Sequence, residues 1–154
     1  MYEIEILSKT GFKNVHGEHI HAEVMQLGFK GVKKVEYSPL YKIDGGINSS
    51  EAKTIAAELL SDKITETPKV RIVKQSETGN TSKYSVIEVW FKRGVTDTVA
   101  ESVVKAVKDL GIDKEIIVKT GHKYYLYGDI SNTVLDNIAT KLLANTLIQE
   151  YKIK

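Results

Sequence analysis

The chain has no cysteine, only two prolines and one tryptophan, and no long apolar run. Without cysteine there is no disulfide framework, no thiolate nucleophile and no sulfur-ligated zinc cluster. Without about twenty consecutive apolar residues there is no candidate membrane helix. Net charge is also small: 22 Lys and Arg face 20 Asp and Glu, leaving +2, which predicts no broad attraction to nucleic acid or to anionic lipid. The opening Met1-Tyr2-Glu3-Ile4-Glu5-Ile6 alternates charged and apolar residues where an export signal needs a basic segment and then a continuous apolar one, so the expected location is cytoplasmic.

What is present is a repeat. At an offset of 83 residues, with no gap, Gly11 falls on Gly94, Glu18 on Glu101, Val24 on Val107 and Leu27-Gly28 on Leu110-Gly111. Further along, Tyr41 falls on Tyr124, Gly45 on Gly128, and Ile55-Ala56 with Leu59-Leu60 on Ile138-Ala139 with Leu142-Leu143. Two copies of about 71 residues follow, each near the size at which a lone hydrophobic core becomes marginal. The copies are expected to need each other. The expected division is 1–73, a polar linker 74–83 rich in turn formers, and 84–154.

In the first copy, alternation over 2–7 predicts a strand. Asn14 caps a helix with Ile20, Val24 and Leu27 on one stripe, and Gly28 ends it. Residues 32–43 are β-rich and broken at Ser38-Pro39, which reads as a hairpin. Asn48 with Glu51 makes a capping box for a second helix carrying Ile55, Ala56, Leu59 and Leu60, and a strand over 68–73 closes the unit. The second copy repeats the order with Asp97 as cap, strands at 115–119 and 124–127, and a helix over 132–143. The expected class is α+β: two tandem βαββαβ units, each a four-stranded antiparallel sheet with two helices on one face.

Chemistry-bearing residues are few. His16 and His19 share a helical face while His21 points away, so one ion cannot collect all three, and they read as polar helix surface with His19 near Glu23. Gly121-His122 falls at the tip of the second expected hairpin, where backbone donors could meet a partner. Tyr124, Tyr125 and Tyr127 could suggest base stacking, but Tyr124 and Tyr125 point to opposite faces and no basic, glycine-rich signature surrounds them. Gly45-Gly46 is no nucleotide loop. No close set of acid, base and nucleophile is evident, so no catalytic residue, cofactor or metal is assigned to the chain.

Leu142-Leu143-Ala144-Asn145-Thr146-Leu147-Ile148-Gln149-Glu150-Tyr151, with Phe91-Lys92-Arg93-Gly94-Val95-Thr96-Asp97, Leu110-Gly111 and Val118-Lys119-Thr120-Gly121-His122-Lys123-Tyr124, resembles the small PurS subunit of phosphoribosylformylglycinamidine synthase. The first copy is similar through Lys9-Thr10-Gly11, Leu27-Gly28 and Leu59-Leu60-Ser61-Asp62. Thr98 and Thr146 stand where that family usually has prolines, and His122 where it has a basic residue.

The resemblance implies a subunit with no active site of its own. It would join a PurL-like synthetase, which carries ATP and Mg²⁺, to a PurQ-like glutaminase for ammonia transfer in purine biosynthesis. It also implies self-association, and it marks Gly94, Asp97, Gly121, His122 and Asn145 as candidate partner contacts. The alternative is a tandem regulatory module that binds a small metabolite such as an amino acid, with the tyrosines near Gly128 lining its pocket.

Overall fold

The computed structural model describes residues 1–73 and 83–154; the expected linker, apart from Lys83, lies outside them. In chain order the elements are β1 (Tyr2–Ser8), α1 (Val15–Gln26), β2 (Lys34–Gly45), α2 (Ser49–Ile55), β3 (Glu66–Ile72), β4 (Tyr84–Phe91), α3 (Thr98–Asp109), β5 (Ile116–Tyr127), α4 (Asn132–Ile138) and β6 (Gln149–Ile153). A π-helical turn extends α2 over Ala56–Leu60 and another extends α4 over Ala139–Leu143.

The expected pair of four-stranded sheets is corrected. The described strands form one six-stranded antiparallel sheet in the order β3-β1-β2-β5-β4-β6, three strands from each repeat. The two expected hairpins are each one unbroken strand of 12 residues, β2 and β5. Proline is tolerated inside β2 because the β1–β2 ladder ends at Glu5 opposite Leu40, leaving Pro39 just beyond the paired stretch. At the neighbouring position both repeats place a small buried residue, Ser38 and Gly121.

Two compact units result, and each draws on both repeats. Among the described residues the first comprises 1–12, 38–73 and 94–121. Its core joins Ile4 and Ile6 of β1, Ile43 of β2 and Ile55 with Ala56 to Val103 and Val107 of α3 and Val118 of β5. Helix α3 of the second repeat therefore completes a core begun by strands of the first. Glu3 is buried on the opposite face of β1. Register explains how it is held: Lys42 on β2 and Arg71 on β3 stand directly across from it, and both guanidinium and ammonium reach its carboxylate.

Among the described residues the second unit comprises 13–37, 83–93 and 122–154. Ile20 and Val24 of α1 share a core with Ile87 and Val89 of β4, Tyr124 and Leu126 of β5, and Leu135, Ile138 and Leu143. Here α1 of the first repeat completes a core made mainly by the second. Glu88 is buried on β4. Burial opposes its ionisation, but Lys154 at 2.8 Å, with Trp90 and Lys123, outweighs that and holds its carboxyl below the usual range. No helix among the described residues is long and apolar enough to cross a membrane.

Candidate functional site

Helix starts are tied to the long strands by the capping residues. Asn14 caps α1 through its side-chain oxygen, which accepts from the Gly17 amide at 2.9 Å and also from the Tyr37 amide at 3.1 Å. Its amide nitrogen donates to the Tyr37 carbonyl at 2.8 Å. At the equivalent place, Asp97 caps α3 through the Ala100 amide and accepts from the amide and hydroxyl of Thr120. Local hydrogen-bond demand at a helix N-terminus is thereby used to position the middle of a strand.

In the second compact unit that tie places an aromatic and imidazole cluster. His16, two residues into α1 from the cap, stacks on Tyr37 with ring centroids 4.0 Å apart. The Tyr37 hydroxyl and His122 Nδ1 are hydrogen-bonded at 2.7 Å, in a direction set by the imidazole tautomer. Tyr124 lies beneath, 5.3 Å from the Tyr37 ring, and burial pushes its phenol up to about 12. The cluster runs from solvent at His16 to the core at Tyr124. Burial lowers the His16 pKa, aided by His19 and opposed by Glu23.

At the matching positions of the first unit stand Val99, Thr120, Pro39 and Tyr41, so only one of the two units carries imidazoles here. His16 lies on the exposed surface of α1 as expected, and its ring in addition stacks on Tyr37. His19 does lie 3.4 Å from Glu23, and His21 Nε2 is 2.8 Å from the Val32 carbonyl. The three histidines do not converge. Among the described residues no group of three His, Cys, Asp or Glu could hold a metal.

The residues marked in the sequence fall at separate places. Gly94 is in an exposed turn after β4 with φ +83°. Asp97 is the cap of α3, and its carboxylate reaches Thr120 beside Gly121. Gly121 is buried within β5 and His122 is half-buried in the same strand, so neither is at a hairpin tip as expected. Asn145 sits in the turn before β6, its side chain accepting from the Leu147 amide at 3.2 Å. Tyr37 was not singled out in the sequence, and the stack of His16 upon it was not foreseen. The repeat aligns Tyr37 with Thr120 and Asn14 with Asp97, but that these pairs touch is visible only in the structure.

The family model of PurS, phosphoribosylformylglycinamidine (FGAM) synthase, matches residues 1–74 and again 84–154. The chain belongs to the PurS family. Its two matched segments show a tandem duplication of the PurS unit within one polypeptide. No curated protein matches the chain at a significant level. The two PurS repeats have diverged at the cluster, where His16 and Tyr37 come from the first and His122 and Tyr124 from the second.

Proposed function

We propose that this PurS-family chain is the non-catalytic adaptor of FGAM synthase, holding a PurL-type synthetase subunit and a PurQ-type glutaminase subunit together so that ammonia passes between them. The observation that carries the reading is the PurS match over both repeats. A glutaminase using a thiolate nucleophile needs a cysteine that this chain lacks, so the hydrolytic step belongs to another subunit. ATP and Mg²⁺ belong to the synthetase.

An adaptor requires surfaces. Gly94, Asp97, His122 and Asn145 remain the proposed partner contacts, with His122 held by Tyr37, on which His16 stacks, while buried Gly121 would act only through the shape of β5 beside His122. A duplicated chain suits a heteromeric assembly, because its two copies can diverge where the subunits of a symmetric homodimer cannot.

The test compares FGAM synthesis from glutamine and from free ammonia, with and without this chain, in a mixture of the two large subunits. The adaptor is expected to raise the glutamine-dependent rate far more than the ammonia-dependent rate, because only the former needs two active centres held together. Equal glutamine-dependent rates in its absence would remove the claim.

A further inference from the structure

Among the described residues the two most exposed large apolar side chains are Leu147 at 85% and Ile64 at 74%. They occupy equivalent positions in the two repeats. Neither contributes to a core, so burial on folding does not explain why both are large and apolar.

Each rides on a turn that is pinned in the same way. Asp62 Oδ1 accepts from the Ile64 amide at 2.8 Å, and Asn145 Oδ1 accepts from the Leu147 amide. Lys9 Nζ donates to the Lys63 carbonyl as Lys92 Nζ donates to the Thr146 carbonyl, at 2.5 and 2.6 Å. The Lys9 and Lys92 amides donate to the Thr65 and Ile148 carbonyls. An apolar side chain fixed on such a frame loses little freedom when it enters a pocket.

The frames have opposite charge. Around Ile64 stand Glu58, Asp62 and Glu66 against Lys9 and Lys63, with Lys63 bonded to Glu58 at 3.0 Å. The same turn positions around Leu147 carry Lys141, Asn145 and Gln149, joined by Lys92, and the next acid in the chain is Glu150, inside β6. Every acid of the first frame has become neutral or basic in the second. The apolar tip has been kept while its surroundings changed sign, which is how one contact mode is directed to a chosen partner.

We propose that Leu147 anchors a protein contact, entering an apolar pocket with an acidic rim on one partner subunit of the synthase. The proposal rests on the adaptor reading above. The Ile64 turn has the same shape but keeps its acids, and an acidic rim repels it.

The experiment titrates the full chain and its variants against the purified synthetase-type and glutaminase-type subunits, separately, reading the dissociation constant. Leu147→Ser is expected to weaken binding to one subunit by at least about tenfold, the scale of an interface anchor. Lys141→Glu, which restores the charge found in the first repeat, should weaken binding to the same subunit, with the loss shrinking as salt is raised. Ile64→Ser should leave that affinity unchanged. Thermal unfolding of the free variants should match the parent, since both side chains are exposed. If the parent binds and Leu147→Ser binds equally well, the anchor is overturned while the adaptor reading stands. If the parent binds neither subunit, the adaptor reading falls and the anchor with it. Equal losses from Ile64→Ser and Leu147→Ser at the same subunit would overturn the charge selection. A Leu147→Ser effect confined to self-association of the free chain, read by sedimentation, would make the occupant a second copy and overturn the proposal.

Discussion

Asp97 and Thr120 are bound to each other by both the backbone and the side chain of the threonine. The carboxylate that caps α3 also accepts the Thr120 amide at 2.9 Å and its hydroxyl at 2.9 Å, so one group starts a helix and fixes it to the middle of β5. Asn14 does the same for α1 and Tyr37.

Removing that group should therefore cost more than an ordinary cap. Loss of an N-cap is worth about 1 kcal/mol, and leaving the Thr120 amide without its partner adds about 1–3 kcal/mol. Asp97→Ala is expected to lower stability by roughly 2–4 kcal/mol in urea denaturation, and Asn14→Ala by a similar amount. Thr120→Val, which keeps the amide bond and removes the hydroxyl, should cost less. A loss below about 1 kcal/mol for Asp97→Ala would show that the tie to β5 contributes nothing.

These caps were legible in the sequence because they are local: Asn14, Asp97 and the Asn48–Glu51 box each act within one turn. The helical stripes were legible for the same reason as far as Ile20 and Val24 on α1 and Val103 and Val107 on α3, but Leu27 and Leu110, expected on the same stripes, cap the helix ends and are exposed. What the stripes face was not legible, because an apolar stripe says that a helix is covered without saying by which strands, and α1 and α3 each complete a core dominated by the other repeat. Pro39 and Gly121 carry turn-forming propensity that strand pairing on either side overrode. The link between Tyr37 and His122 joins residues 85 apart in the chain, beyond any local pattern.

Glycine substitutions should separate contact from conformation. A Cβ on Gly128, at φ +131°, would lie 2.2 Å from the Gly31 carbonyl oxygen, and one on Gly45, at φ +132°, 2.4 Å from that of Glu115. Both are backbone atoms that cannot step aside. Gly94, at φ +83°, has nothing within 4 Å of its Cβ position and incurs only the left-handed strain. Gly94→Ala is expected to cost about 1 kcal/mol, whereas Gly45→Ala and Gly128→Ala should each cost several times that. Thermal melts would rank them, and similar midpoints for all three would contradict the crowding at Gly45 and Gly128.

Shared cores predict how the halves behave when cut apart. A fragment of residues 84–154 keeps Ile87, Val89, Tyr124 and Leu126 but loses Ile20 and Val24 of α1, which lie over them, and its own α3 loses Ile4, Ile6 and Ile43. The fragment is expected to be unfolded at low concentration, or to fold only by pairing with a second copy that supplies the missing helix. Its melting temperature should then rise with concentration, as for a folded dimer and an unfolded monomer. A concentration-independent transition of a monomer at the parent's temperature would rule out the exchange of helices as the source of stability.

Acid should weaken the cluster at His16. Burial, with help from His19 and against Glu23, depresses the His16 pKa in the folded chain, while in the unfolded chain the same imidazole titrates near 6.5. Between the two values the unfolded state holds the proton and the folded state does not. The contribution of this group is thus constant above about pH 6.5 and turns against folding as pH falls through that value toward the depressed one. His16→Phe keeps a ring to stack on Tyr37 and removes the proton. Urea midpoints measured from pH 7.5 to 5 should show the variant gaining on the parent as pH falls, with His19 and Glu23 present in both as the control. The gain will be small because His16 faces solvent on one side, where charge is screened. Parallel profiles would mean that the stack on Tyr37 leaves the imidazole as free to protonate in the folded chain as in the unfolded one.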